Sequence, residues 1–231
     1  MAWTTQLLGT GRIQFRQVSR EIIASTYGAL RHYNTTCTGA SFMEALLGPD
    51  LGDGMRRGSA TNQQSLQPVM GWLNTYSNRT WVAGHLLNAD LGGSGTNNQN
   101  LTALTSTANA NHSTFEDHVK RMLAACHNVD SYNRGHTHWY GVRYRVDVDA
   151  TQFASTPHAN DVHSYAYSHI TLTYGYRRID KATGAAVVLP ATDPFYATLT
   201  AVPLPTFTAG TVIIGALGGP VTFGPIQIHN T

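Results

Sequence analysis

Alternation of apolar and polar residues marks two long stretches in the second half of the chain. The first is residues 138–148, where Trp139 is out of phase but Val and Tyr alternate with Arg and Asp from residue 142 onward, and the second is residues 164–179. Successive side chains of a β-strand point to opposite faces, so a period of two predicts a strand with one buried face. We therefore expect two long strands that pair antiparallel and form the main sheet.

A different pattern, of strand, loop, strand and helix, occupies residues 79–122. Residues 80–87 are rich in β-forming residues and predict a strand that carries His85 near its end. A polar, Gly-rich loop is expected over residues 88–99, and a short second strand over residues 100–104. The two strands are predicted to pair as a hairpin with a long tip.

The helix expected after this hairpin has apolar residues at helical spacing from Phe115 onward. Asn111 or Ser113 is expected to cap its N-terminus, and Glu116, three residues after Ser113, would complete a capping box. This prediction places Asn109 just before the helix.

The first part of the chain, residues 1–78, is expected to combine helices and loops. Helices are predicted over residues 20–32 and 41–47, and a polar loop over residues 51–67. Residues 79–181 are expected to hold the hairpin, the helix and the main sheet.

The last fifty residues, 182–231, contain no Lys or Arg and a single acid, Asp193. Pro residues separate short β-prone runs, notably residues 211–214 and 221–228. Such a segment either packs on the main sheet as extra strands or exposes an apolar patch that docks a partner, and both interpretations stay open. The three parts together predict one compact α+β domain built on an antiparallel sheet.

Composition adds few constraints. The 231 residues include 15 Lys and Arg against 13 Asp and Glu, a formal net charge of +2, which argues against a broad electrostatic footprint on nucleic acid. Arg12 and Arg16 stand where a secretory signal would be apolar, and no stretch is long enough for a membrane span. Cys37 and Cys126 are either free thiols or one disulfide, and free thiols are favoured.

His85 and Asn109 together suggest hydrolytic chemistry. An imidazole, with an ordinary pKa of about 6.5, can take a proton from water near neutral pH. An amide oxygen is a hard ligand that suits Mg²⁺, which keeps several waters and needs few protein ligands. A base beside such a metal can hydrolyse a phosphodiester without a cysteine or lysine nucleophile.

The residues around this pair carry a family resemblance. The chain reads GHLLN at residues 84–88, GG at 92–93 and NLTALTSTANANH at 100–112, followed by Glu116. This combination resembles the DNA/RNA non-specific endonucleases of the ββα-metal (His-Me finger) class, in particular the versions found as C-terminal toxin domains of bacterial polymorphic toxins and contractile injection systems. Outside residues 79–122 the resemblance extends only to the general order of elements.

The resemblance implies specific roles. His85 would be the general base, Asn109 the ligand of a divalent metal, Glu116 an assisting catalytic residue and Asn100 the asparagine of the second strand. The reaction would be hydrolysis of DNA, and of RNA as a further substrate, with Mg²⁺, or with Mn²⁺ or another divalent cation. The biological role would be an antibacterial or cytotoxic effector, made in the bacterial cytoplasm, carried by a secretion or injection system, and paired with an immunity protein or a delivery particle.

One departure from the family pattern concerns phosphate binding. The well-studied secreted nucleases have Asp-Arg before Gly-His, whereas Val82 and Ala83 stand there in this chain. Another guanidinium must then hold the phosphate, and Arg79 and Arg57 are the candidates because a guanidinium fork matches phosphate oxygens. Asn100 is a further candidate for substrate contact.

Each of these residues also has a purely structural interpretation. His85 can be a satisfied histidine on a half-buried strand, Asn109 a helix cap, and Glu116 a first-turn acid favoured by the helix dipole. Asn88 and Asn100 can fix the loop through bonds to its backbone, which is the favoured interpretation for both.

Two other classes of function remain open. The chain can be a non-catalytic structural or cargo component of a phage-like or injection particle that retains the nuclease scaffold. It can also be a zinc-dependent hydrolase that uses the histidines of its second half, among which His136 and His138 are the best-spaced pair. Surface or sheet-facing histidines are the favoured interpretation of that group.

Overall fold

The computed structural model describes residues 4–8, 11–23, 36–48, 58–132, 135–149, 166–208, 210–215 and 219–231. Within these ranges the regular elements are, in chain order, β1 (Thr4–Leu8), β2 (Gly11–Ile23), β3 (Thr36–Leu47), α1 (Val69–Tyr76), β4 (Trp81–His85), β5 (Leu101–Thr105), α2 (Ser106–Tyr132), β6 (His138–Val148), β7 (His169–Asp180), β8 (Ala186–Val188), α3 (Tyr196–Thr200), β9 (Val212–Ile214) and β10 (Thr222–His229).

Eight of these strands form one sheet in which every hydrogen-bonded pair is antiparallel. The strand order is β1-β2-β3-β6-β7-β10-β9, and β8 pairs with the end of β7. β4 and β5 pair separately as a two-stranded antiparallel sheet. The α+β class is therefore confirmed, and the large sheet contains strands from all three expected segments of the chain.

The two alternating stretches form the centre of the sheet, as predicted. β6 pairs with β7 along its full length, from His138 opposite Asp180 to Val148 opposite Ile170. Alternate side chains of both strands are buried on one face. That face consists of Val142, Tyr144, Val146 and Val148 of β6 and Ile170, Leu172, Tyr174 and Tyr176 of β7.

Helix α2 packs against this buried face. His112 and His118 of the helix hydrogen-bond to the hydroxyls of Tyr144 and Tyr174 at 2.7 and 2.9 Å. Apolar side chains of α2 belong to the same core; they include Ala108, Phe115, Val119, Met122, Leu123 and Cys126. The sheet thus fixes which face of α2 is turned inward.

The predicted helix over residues 41–47 is wrong, because these residues belong to β3. β3 lies between β2 and β6 in the sheet, and residues 43–48 are buried on both faces, so the period-two alternation of a half-buried strand is missing. A register shift against β2, where Phe42 and Ala40 face consecutive residues, breaks the pattern further. Of the other predicted helix, residues 20–23 belong to β2 and residues 24–32 lie outside the described part.

The C-terminal segment, residues 182–231, contributes strands to the main sheet, as the first of the two interpretations expects, while docking of a partner stays a prediction. Both β9 and β10 belong to the main sheet. Asp193, the single acid, is buried and accepts hydrogen bonds from the Tyr140 hydroxyl and the Phe195 amide, both at 3.0 Å. Asn230 is buried as well, and its side chain bonds to the Thr105 amide at 2.8 Å. The segment is thus tied to β5 and β6 by polar contacts.

Two smaller expectations concern thiols and membranes. Cys126 is a buried free thiol, as favoured, while the side chain of Cys37 lies outside the described part. No helix in the described ranges combines the length and apolar character needed to cross a bilayer.

Candidate functional site

The hairpin–helix unit, defined here as residues 81–132, contains the predicted site. β4 pairs with β5 from Trp81 opposite Thr105 to His85 opposite Leu101, so the predicted hairpin is confirmed to within a residue or two. His85 is the last residue of β4, where the strand enters the loop. The imidazole therefore stands at the end of the hairpin sheet rather than in its middle.

Asn100 organises the loop between the two strands. Its side-chain oxygen accepts from the Leu87 amide at 2.9 Å, and its amide nitrogen donates to the Leu87 and Ser94 carbonyls at 2.9 and 3.1 Å. Asn100 is 1% exposed. These bonds match the loop-fixing interpretation, and its role as a substrate contact stays a prediction that this geometry does not favour.

Helix α2 begins five residues earlier than Asn111, directly after β5. The Thr105 hydroxyl accepts from the Ala108 amide at 3.3 Å and so caps the helix. The predicted caps Asn111 and Ser113 are both inside the helix, and the capping box with Glu116 is wrong. A hydroxyl at the strand end and an alanine-containing first turn allow the helix to start without the predicted caps.

Four polar side chains lie on one stripe of α2. Asn109, His112, Glu116 and Lys120 follow one another at intervals of three, four and four residues, which places them on one face. Asn109 and Lys120 are partly exposed, whereas His112 and Glu116 between them are buried. The two outer side chains of the stripe are thus accessible to solvent, and the two inner ones are not.

The tautomer of His85 follows from its hydrogen bond. Its Nε2 lies 2.9 Å from the backbone carbonyl oxygen of Ser59. Because a carbonyl can only accept, Nε2 carries the proton and Nδ1 keeps the lone pair. The Ser59 segment is itself held in place, since the Ser59 amide donates to the Gly93 carbonyl at 3.1 Å and its hydroxyl accepts from the Gly95 amide at 2.9 Å.

Asn109 lies against the backbone of β4. A Cβ atom placed on Gly84 would be 3.0 Å from Asn109 Oδ1 and 2.6 Å from Leu104 Cδ1, so the glycine permits this close approach. Among the described residues, the Asn109 side chain has no hydrogen-bond partner. Its amide oxygen is therefore available to a ligand. It lies next to Gly84, the residue that precedes His85.

Glu116 is a buried acid with one satisfied oxygen. Its Oε2 accepts from Asn88 Nδ2 at 3.1 Å, whereas Oε1 has no hydrogen-bond partner within the described part of the chain. Burial raises the pKa of Glu116 to about 8, against the smaller lowering effect of the Asn88 bond and of Lys120. Without a bound cation, Glu116 is therefore mostly protonated at neutral pH.

His112 completes the buried part of the site. Its Nε2 lies 2.7 Å from the Tyr144 hydroxyl and 4.0 Å from Glu116 Oε1. Burial, and after it the charge of His85, lowers the pKa of His112 to about 3. The contact between His112 and Glu116 is thus a contact between two neutral groups at pH 7, in spite of its salt-bridge geometry.

Three residues of this site, His112, Tyr144 and Asn88, had not been predicted as part of it. His112 lies three residues after Asn109 and four before Glu116. This helical spacing would have indicated His112 if the predicted helix had begun at Ser106. Tyr144 is on β6, and only the packing of α2 on the sheet brings it to the site. Asn88 was assigned to the loop, and it does bond to the Asp90 amide at 2.9 Å, but it also positions Glu116.

The donor set fits a hard divalent cation better than zinc. Nowhere in the described ranges do three His, Cys, Asp or Glu side chains come together as a metal site. His138 bonds instead to the Thr137 hydroxyl at 2.8 Å, and the His136 ring lies tilted against Phe195, with ring centroids 5.7 Å apart. The free oxygens of the stripe, one amide and one carboxylate, are the type that Mg²⁺ and Mn²⁺ prefer.

Of the two arginines expected to bind phosphate, Arg79 lies in the described part of the chain. Arg79 is half-buried, and its guanidinium donates to the Asn230 carbonyl at 3.3 Å. Arg57 lies outside the described residues. The role of both as phosphate ligands stays a prediction.

Comparison of the chain with protein-family models, curated proteins and solved structures finds no significant match.

Proposed function

We propose that the protein is a divalent-metal-dependent nuclease that hydrolyses phosphodiester bonds of DNA and also of RNA. The observation that carries the proposal is the bond from His85 Nε2 to the Ser59 carbonyl, which leaves Nδ1 as a base at the end of β4. The unbonded oxygens of Asn109 and Glu116 on α2 supply the matching ligand chemistry. The resemblance to ββα-metal endonucleases supports the same assignment.

The roles of the residues follow from their contacts. His85 Nδ1 takes the proton of the attacking water, while the carbonyl of Ser59 holds the ring and stabilises the imidazolium that forms. Asn109 would hold the cation through Oδ1, and Glu116 would offer Oε1 to the cation or to a water bound to it. The bound cation would supply charge stabilisation to the phosphate and the leaving oxygen.

His112 and Tyr144, which are buried next to Glu116, have a positioning role in this proposal. The Tyr144 hydroxyl fixes His112, and neutral His112 leaves no fixed positive charge beside the carboxyl group. Asn88 holds the other oxygen of Glu116, so that Oε1 alone faces the stripe. A cation would favour the ionised carboxylate, which burial alone disfavours.

The wider biological role rests on the resemblance alone. We propose an antibacterial or cytotoxic effector kept harmless by an immunity protein or within a delivery particle. A non-catalytic particle component is the second candidate, favoured by the engagement of Arg79 with the C-terminal segment rather than with a free surface.

Cleavage assays separate these candidates. Plasmid DNA and total RNA are incubated with purified protein in Mg²⁺, Mn²⁺ or EDTA, using wild type, His85→Ala and the control His127→Ala, which removes an exposed histidine from α2. Metal-dependent cleavage that survives in the control and is lost in His85→Ala supports the nuclease. Absence of cleavage by the wild type with every cation would favour the structural candidate.

A further inference from the structure

A groove runs along the flank of α2 next to the proposed site. Its helical wall consists of Thr114, Asp117, Lys120 and Arg121, and its other wall is the extended segment of residues 204–206. The groove has a volume of about 660 Å³, within the range of pockets that hold small ligands. Nothing in the proposed chemistry uses it.

The groove is continuous with the polar stripe of α2. Lys120 belongs to both, one helical turn or roughly 5.4 Å beyond Glu116. The Lys120 ammonium donates to Asp90 at 2.8 Å, and Asp90 is in the same short turn as Asn88, the partner of Glu116. A chain that leaves the site along α2 therefore passes Lys120 and enters the groove.

Arg121 is the basic side chain of the groove that binds no described residue. Lys120 is bonded to both Asp90 and Asp117, at 2.8 and 3.0 Å, so its ammonium is engaged by two carboxylates. Arg121 is exposed and has neither a hydrogen bond nor an ion pair with any residue in the described ranges. A guanidinium free to bind two oxygens suits a phosphate group.

The opposite wall is largely apolar, whereas the helical wall carries charged side chains. Leu204 is 54% exposed, and Pro205 lies beside it. Thr114 and Thr206 also line the groove. A nucleotide has the same division, with a charged phosphate on one side and an apolar sugar and base face on the other.

We propose that this groove holds unpaired nucleotides that flank the scissile phosphate, with one phosphate on Arg121 and a sugar or base face against Leu204 and Pro205. The inference rests on the proposed function and deepens it, because it names single-stranded nucleic acid as the ligand and Arg121 as a residue that binds a phosphate beyond the cleavage site. An unpaired strand is favoured because a duplex hides its base faces from such a wall.

Binding can be measured without cleavage. A fluorescent single-stranded DNA oligonucleotide is titrated in EDTA against His85→Ala protein, and then against the same protein with Arg121→Gln or with Lys181→Gln. Lys181 is the control because it lies in the turn after β7, over the Trp139 ring, and the change removes the same charge. We expect Arg121→Gln to weaken binding about tenfold and to reduce the slope of log K against log salt by about 0.7, while Lys181→Gln binds as the parent does.

A second variant tests the apolar wall. Leu204→Ser should weaken binding of the single strand and leave the salt slope unchanged, because it removes no charge. Equal effects of Arg121→Gln and Lys181→Gln, or no binding by the parent, would overturn the proposal, and so would tighter binding of a matching duplex than of the single strand.

The groove and the nuclease activity can fail separately. If the wild type cleaves DNA and Arg121→Gln changes neither KM nor binding, the groove proposal is overturned and the nuclease stands. If the strand binds through Arg121 but no cation supports cleavage, the groove proposal is supported and the proposed reaction is not.

Discussion

The hairpin–helix unit and the C-terminal segment both bury polar side chains, but they satisfy them differently. In the C-terminal segment, Asp193 and Asn230 have bonds to both of their side-chain polar atoms. In the hairpin–helix unit, Glu116 Oε1 has no partner in the described part, and the Asn109 amide has none there either. His229 is the exception in the C-terminal segment, since its buried Nε2 is unbonded.

In the proposed function, this difference distinguishes residues that stabilise the fold from residues that would bind a ligand. An unpaired buried polar group costs about 1–3 kcal/mol, so an unused carboxylate oxygen is expected where function requires it. Asn230 shows the other case, because it joins the Thr105 amide, at the start of α2, to the Ala103 and Tyr167 carbonyls. We expect substitutions in the two regions to affect different measurements.

Among substitutions of the proposed cation ligands, the largest effect is expected from Asn109→Ala. Loss of this ligand should reduce Mg²⁺-dependent cleavage by at least about 100-fold, the upper end of the loss seen for outer-shell partners. The melting temperature in EDTA should not change, because no described residue bonds to this side chain. Single-turnover cleavage and thermal unfolding test both parts, with the exposed Asn128→Ala as the matched control. Retained activity would remove Asn109 from the site.

Asn230→Ala is expected to lower stability and to leave activity unchanged. The change removes the side-chain partner of the Thr105 amide and of the Ala103 and Tyr167 carbonyls, so the free energy of unfolding should fall by about 2–4 kcal/mol. The specific activity of the folded fraction should be retained. Chemical denaturation measures the loss. A variant as stable as wild type would mean that Asn230 does not anchor the segment.

Glu116→Gln should change how stability depends on pH. The folded pKa of about 8 lies above the ordinary value of 4.5, so Glu116 favours the folded state below pH 4.5 and this contribution is lost as pH rises to 8. Metal-free Glu116→Gln should therefore gain stability over wild type across that window, by up to about 1.4 kcal/mol per pH unit. Denaturation at several pH values in EDTA tests this. A constant difference between the two proteins would contradict the raised pKa.

The smallest effect is expected from Gly84→Ala. The added methyl would meet Leu104 and Asn109, so the Asn109 side chain must move and cleavage should fall by roughly tenfold. Gly135→Ala is the control, because nothing lies within 4 Å of its added Cβ. Equal activities of the two variants would show that Asn109 is not held against β4.

Local patterns predicted the parts of the fold that have one buried face. The alternation in β6 and β7 and the hairpin of β4 and β5 could be recognised because each residue's burial follows from its position in the strand. β3 could not, since it is buried on both faces and its continuous apolar run fits a strand or a helix equally. The start of α2 was missed because a threonine at the end of a strand serves as its cap.

The candidate site was predictable only where it is local in sequence. His85, Asn109 and Glu116 lie within one motif, and the resemblance singled them out. The neutral state of His112 depends on Tyr144 from a distant strand and on burial, which no spacing indicates. The groove could not be predicted from local sequence either, because the segment of residues 204–206 reaches α2 only through the packing of the C-terminal segment.

The central claim is that His85 Nδ1 acts as the base, and imidazole rescue tests it most directly. Single-turnover cleavage of a labelled oligonucleotide in Mg²⁺ is measured for wild type, His85→Ala, and His85→Ala with added imidazole. The account predicts a loss of about 100- to 10,000-fold in His85→Ala and partial recovery with imidazole. Cleavage by His85→Ala at the wild-type rate would contradict it.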